Sequence, residues 1–182
     1  MPDEGATGSV PFSSPSKPRW RAYPGFMRRL VALVSSIIFV DALLFTALTP
    51  LVPDYADEFD LSKSGAGLLL AAYGAGAHIG GVPGGLAAAR YSPKHAVVFG
   101  LVLLGISSIA FALAEGALAL GLARFVQGFS STVTWAGALA WVASVVPKEQ
   151  RGEMLAFAFG AAIAGAILGP LFGGIAEAAG IR

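Results

Sequence analysis

Five apolar stretches dominate this 182-residue chain: Leu30 to Leu51, Ala66 to Ala88, Ala96 to Ala114, Ala117 to Val146 and Met154 to Ala176. Each is long enough for the roughly 20 residues that an α-helix needs to cross the hydrocarbon of a bilayer. The linkers, Pro53 to Ser64, Ala89 to His95, Glu115 to Gly116 and Pro147 to Glu153, are short and hold most of the charge. In lipid every backbone amide must be paired within its own segment, and the polar alternation of a membrane β-barrel is absent. The expected fold is therefore all-α, a polytopic transmembrane bundle of about five helices. Charged residues make up only 13% of the chain, about half the roughly 25% of a soluble domain. Residues 1–24, rich in Pro, Ser and Gly, bury too little to offset chain entropy and are expected to be a disordered cytoplasmic tail. Residues 25–182 then form the transmembrane domain. Arg28 and Arg29 precede the first apolar run as in a secretory signal, but that run is too long and has no small-residue cleavage site leading into a soluble domain.

Composition removes several kinds of function. With no cysteine and two histidines there is little to build a metal centre from, and a net charge of +1 gives no reason to expect nucleic acid. No paired nucleophile and base, and no cofactor motif, emerges, so the chain is not read as an enzyme and no cofactor is expected. Its partner is the lipid bilayer. Lys17, Arg19, Arg21, Arg28 and Arg29 precede the first span, Arg90 and Lys94 lie between the second and third, and Lys148 and Arg151 between the fourth and fifth. Nine of the twelve basic residues thus fall on one side, against Lys63 and Arg182 on the other. The positive-inside rule predicts a cytoplasmic N-terminus, and a multi-pass protein of the cell (inner) membrane is expected.

Two ionisable residues interrupt the apolar spans. Asp41, within Ile37 to Leu44, carries a carboxyl group that costs about 2.5 to 3.5 kcal/mol at mid-membrane, so it must face a cavity or hold a proton part of the time. The plainer alternative is a neutral helix-to-helix hydrogen bond. Arg124 keeps its charge and needs acceptors or water; it is either a fixed charge in a pathway or a clamp on backbone carbonyls. Asp41 is twelve residues past Arg29, about 18 Å along a helix, and Arg124 is seven residues past Ala117, about 10 Å from the opposite face. In a core of roughly 30 Å the two fall at similar depth, where one cavity can serve both. His78, near Tyr73 on the second span, is read as a packed, hydrogen-bonded histidine ahead of a proton relay.

Glycine is placed with helical regularity. Gly76, Gly80 and Gly84, with Gly81 and Gly85 alongside, and Gly165, Gly169 and Gly173, with Pro170 and Gly174, form stripes along which another helix can approach closely. Pro170 removes a helical hydrogen bond and favours a bend at Leu168 to Pro170.

Four segments carry a family resemblance. Gly85 to His95 (GLAAARYSPKH) resembles the loop between helices two and three of the major facilitator superfamily, Arg124 to Gly128 (RFVQG) its fourth-helix motif, and Gly165 to Gly174 (GAILGPLFGG) the fifth-helix motif of its antiporter branch. Asp41 to Pro53 is similar to the first helix of the twelve-helix drug:proton and vesicular amine antiporters. The resemblance implies the N-terminal half of a major facilitator fold and proton-coupled antiport, or efflux, of small amphipathic or cationic molecules. It assigns proton or substrate coupling to Asp41, Arg124 and Gln127, gating to Gly85, Arg90 and Lys94, and an antiporter-type helix bend to Gly165, Gly169, Pro170, Gly173 and Gly174. The small-molecule substrate and protons are then the partners. Ala89 and Ser92 stand where the family has aspartate and glycine, which weakens the charge relay of that loop. Five spans, where the family rocks two six-helix halves against each other, lead to the expectation of a partial chain that is completed by a missing C-terminal half or an oligomeric partner. A proton-coupled uptake symporter and a non-transporting membrane interaction protein are the alternatives.

Overall fold

The computed structural model describes residues 25–179, so the expected tail at 1–24 lies outside the described residues. Six helices follow one another: α1 (Gly25–Ala47), the short α2 (Val52–Glu58), α3 (Lys63–Arg90), α4 (Pro93–Ala112), α5 (Ala117–Val145) and α6 (Arg151–Ala178). There is no strand among the described residues. The long helices cover the five expected spans, and their ends are set by local chemistry. α1 stops at Ala47 rather than Leu51 because Pro50 cannot donate to the helix; a 3-10 turn, Thr49–Leu51, takes over. That turn leads into α2, with Pro53 in its first turn, so most of a helix occupies the first half of the expected linker Pro53 to Ser64. The side chain of Ser62 caps α3 by accepting from the amide of Gly65 at 3.1 Å, and Ser92 caps α4 by accepting from that of His95 at 3.3 Å. Ser92, one of the two departures from the loop pattern, is thus a helix cap.

Four helical stretches, Gly25–Glu58, Lys63–Arg90, Pro93–Ala112 and Lys148–Ala178, are long and apolar enough to cross a membrane. α5 has the length, with 29 residues, but is more polar. Its polar side chains, Arg124, Gln127, Ser130, Ser131 and Thr134, are buried, so α5 spends them on neighbouring helices and not on lipid. It is the axis of the bundle: α3 and α4 both pack along it, while α1 pairs with α6. The two groups meet through an apolar core made by Leu30, Val34 and Ile38 of α1, Ala138 and Val142 of α5, and Met154 and Ala158 of α6.

Lipid tails are as apolar as leucine, so these helices associate through close packing and hydrogen bonds more than through hydrophobic burial. Glycine supplies the close packing. A Cβ added at Gly80 would sit 2.7 Å from the carbonyl oxygen of Phe129, one at Gly84 would sit 2.9 Å from Cα of Val133, and one at Gly76 would collide with the carbonyl of Phe125. α5 reciprocates with Gly128, which lies against the carbonyl of Tyr73, and with Gly137, where a Cβ would come 2.9 Å from the carbonyl of Pro93 on α4. The second stripe seats α6 on α1: Gly165 meets the carbonyl of Phe39, Gly169 that of Leu43 and Gly173 that of Ala47. Gly85 and Gly174 have nothing within reach of a Cβ, and Gly81 only a distant methyl of Thr132, so those three are not part of the contact.

A side chain at a backbone-to-backbone crossing forces the helices apart. Gly128→Ala is expected to destabilise the fold by about 2 to 3 kcal/mol, whereas Gly85→Ala is neutral or slightly stabilising. Reversible unfolding of the two variants in mixed micelles measures the difference.

Candidate functional site

The buried stripe of α1 runs Leu30, Val34, Ile38, Asp41, so the carboxyl group continues a line of core residues one turn beyond Ile38. Opposite it, α5 presents Val142, Ala138, Trp135, Ser131, Gln127 and Arg124 in successive turns. Apolar core gives way to polar cluster at the Asp41 level, and both helices make the change at the same height.

Asp41 is only 6% exposed. Its Oδ2 accepts two hydrogen bonds from α5, one from the hydroxyl of Ser131 at 2.7 Å and one from the indole Nε1 of Trp135 at 2.8 Å. Two turns before Ser131 on α5, Arg124 is 4% exposed. Its Nη1 donates to Oε1 of Gln127 at 2.9 Å, and Nε2 of Gln127 donates to the hydroxyl of Ser108 on α4 at 3.3 Å. Nε and Nη2 of Arg124 have no hydrogen-bond partner among the described residues. The guanidinium instead lies near aromatic faces, 4.8 Å from the ring centre of Tyr73, 5.9 Å from Phe45 and 6.0 Å from Phe111. Such faces offset part of the cost of burying a cation.

Two cavities meet at Asp41. A small one of about 30 Å³, enough for about one or two waters, is walled by Asp41, Arg124, Gln127, Ser108, Tyr73 and Phe45. A larger one of about 380 Å³ is lined by Asp41, Phe45, Tyr73, Ser131, Thr132 and Trp135. A further recess, about 670 Å³, lies between the first turns of α1 and α6 beside Arg28 and Arg29, and no buried ionisable group among the described residues lines it. The structure thus brings Asp41, Arg124 and Gln127 together around one cavity without an ion pair between the carboxylate and the guanidinium.

The other residues singled out in the sequence lie elsewhere. Arg90 and Lys94 are exposed at the α3–α4 junction, and Gly85 has open space beside it. α6 is helical without a break through Pro170, and Gly165, Gly169 and Gly173 serve the contact with α1. His78 is exposed, bonded among the described residues to the carbonyl of Gly74 at 3.1 Å, and is not packed in the core. No group of three or more metal-binding side chains occurs among the described residues. Sequence reading missed Ser131, Trp135, Tyr73 and Ser108. For the first two a signal existed: Ser131 is four residues after Gln127 and Trp135 four after Ser131, on the helical face that already carried Arg124.

Residues 34–182 match the family model of the Major Facilitator Superfamily. The chain belongs to that superfamily. It is 29% identical over 162 residues to the MFS-type transporter ppzB of Metarhizium rileyi, covering 86% of this chain and 33% of that protein. It is 28% identical over 148 residues to the quinolone resistance protein NorA of Staphylococcus aureus, covering 81% of this chain and 38% of NorA. The chain therefore spans between a third and two fifths of the length of these curated relatives. As a major facilitator chain it is a membrane protein of a transporter family and not an enzyme.

Hydrogen bonds to a buried cation are worth about 1.5 to 3 kcal/mol, against an average near 0.6 kcal/mol between neutral groups on membrane helices. Gln127→Leu, which takes away the one side-chain acceptor of Arg124 among the described residues, is expected to cost about 2 kcal/mol. Ser108→Ala, at the far end of the same relay, is expected to cost less than about 1 kcal/mol. Unfolding free energies of both variants in mixed micelles test the ranking.

Proposed function

We propose that this chain is the cation- and proton-handling part of an efflux antiporter for small amphipathic or cationic molecules. The observation that carries this reading is the larger cavity at Asp41: a carboxyl group set among the rings of Phe45, Tyr73 and Trp135 in a space of about 380 Å³. A lipophilic cation is recognised by that combination, since its charge pairs with the carboxylate while its apolar body and cationic face meet aromatic rings. A proton competes for the same carboxylate, and that competition is the chemistry of exchange. Arg124, which lines the small cavity with Asp41 and cannot shed its charge, keeps a second cation from settling there and favours single occupancy.

In the cycle so inferred, Asp41 takes a proton from outside, releases its cation, and loses the proton again when the cavity opens inward. Rocking between the two states calls for a second helical bundle facing this one. A cytoplasmic assignment of the Arg28 end, in the cell membrane, is supported by the basic residues there, by Arg90 and Lys94 at the α3–α4 junction, and by Lys148 just before α6 and Arg151 at its start. Exposed Arg90 and Lys94 stand where they can engage a facing bundle in one state and release it in the other. The name of NorA, a quinolone resistance protein, agrees with export over uptake.

Tetraphenylphosphonium binding to the purified chain in nanodiscs tests this reading. Binding is expected to release about one proton per cation, and Asp41→Asn to lose both binding and proton release while still inserting as a helical bundle. Binding retained in Asp41→Asn would refute the assignment.

A further inference from the structure

Both hydrogen bonds that Asp41 accepts end on one atom. Oδ2 receives Ser131 at 2.7 Å and Trp135 at 2.8 Å, and no described donor reaches Oδ1. A carboxylate so held has two inequivalent oxygens: Oδ2 is committed to α5, and Oδ1 is left to the cavities that Asp41 lines. Two donors converging from the α5 side also fix the plane of the group, because a rotation that brought Oδ1 to α5 would have to break both bonds together.

We propose that Ser131 and Trp135 are positioning residues that hold Oδ2 of Asp41, so that Oδ1 alone exchanges a proton or cation with the cavity and the indole of Trp135 senses the charge state of Asp41. This rests on the reading of Asp41 given above. When a proton arrives from water in the cavity it bonds to Oδ1, no protein bond breaks, and Oδ2 goes on accepting from both donors. What changes is their strength, since hydrogen bonds to an ionised acceptor are about twice as strong as those to a neutral one. The consequence reaches two other elements. The ring of Trp135 packs on Phe159 of α6 with centroids 5.9 Å apart, while its N–H reaches α1. Trp135 therefore stands where α1, α5 and α6 meet, and loosening its bond to Asp41 loosens the joint between the α1–α6 pair and the α3–α4–α5 group.

The charged and titratable groups facing Asp41 are few. Tyr73 from α3 and Arg124 from α5 share its cavities, α4 contributes only the hydroxyl of Ser108, and Phe159 of α6, against Trp135, has no titratable atom. A pH response of Trp135 that depends on Asp41 is therefore specific to this carboxyl group.

The test uses the 182-residue chain with Trp20→Phe and Trp141→Phe, which leaves Trp135 as its single tryptophan, in nanodiscs of zwitterionic lipid. The probe is the proton itself: Trp135 emission is followed from about pH 4 to about pH 10, a range that spans ordinary and strongly displaced carboxyl groups. A single sigmoidal transition is expected, absent in Asp41→Asn. Ser131→Ala removes one donor that favours the ionised form and is expected to move the midpoint to about three- to tenfold lower proton concentration; Ser131→Thr, which keeps the hydroxyl, restores it. Where Ser131→Ala does not yield a monodisperse protein, Ser131→Cys, a weaker donor, carries the same comparison. A transition that persists in Asp41→Asn, no transition in the parent, or a midpoint unmoved by loss of the hydroxyl each overturns the proposal. Failure of the antiport reading is separable: there Trp135 still titrates with Asp41 but tetraphenylphosphonium does not bind, whereas failure of the present inference leaves cation binding intact with Trp135 silent or unmoved.

Discussion

Backbone-to-backbone contact along α5 is the constraint on which everything else in this structure depends. A helix in lipid gains little by hiding leucine from a solvent that resembles leucine, and the bundle accordingly exposes large apolar side chains such as Val82 and Leu118 on its outer faces. What holds α3 and α4 to α5 is the absence of side chains at Gly76, Gly80, Gly84, Gly100, Gly128 and Gly137, which lets dispersion and weak polar contacts act at short range. The same device seats α6 on α1 through Gly165, Gly169 and Gly173. Within each group the helices are locked; between the groups the contact is slighter, an apolar core at one end and the Asp41 cluster next to it.

That arrangement explains how a polar helix survives in a membrane protein. α5 carries an arginine, a glutamine and a series of hydroxyls that would be costly against lipid. Enclosed by α1, α3, α4 and α6, it turns them inward, where Gln127 accepts from Arg124 and donates to Ser108, and Ser131 and Trp135 donate to Asp41. The hydroxyls of Ser130 and Thr134 return to the α5 backbone itself, at Gln127 and Ser130. The polar network and the glycine contacts are two aspects of one design, because only close approach of the helices brings the donors within reach.

The five spans, their order and the two buried charges could be read from residue type alone, as could both glycine stripes, since periodicity of four is visible without coordinates. Other features were less legible. The residues of α2 read as linker, since Pro53, Asp54 and Asp57 are common in loops, although proline in a first helical turn and acid near a helix start both favour a helix. His78 looked like a core histidine on a glycine-rich face, but that face splits, and only the side bearing Gly76, Gly80 and Gly84 meets α5. Ser131 and Trp135 passed unremarked because a serine and a tryptophan in an apolar span are ordinary.

Sequence by itself determined that this chain is a bundle of membrane-length helices with a carboxylate and a guanidinium inside its apolar spans, because hydrophobic length, backbone hydrogen bonding and a rise of about 1.5 Å per residue are local properties. Only the tertiary structure decided that these two groups face one small cavity without pairing, and that the carboxylate is held on one oxygen by two donors from another helix. Those facts depend on which helices are neighbours and on their rotation about their own axes. Both are set by contacts between residues about ninety positions apart, as for Asp41 with Ser131 and Trp135, and no local pattern encodes them.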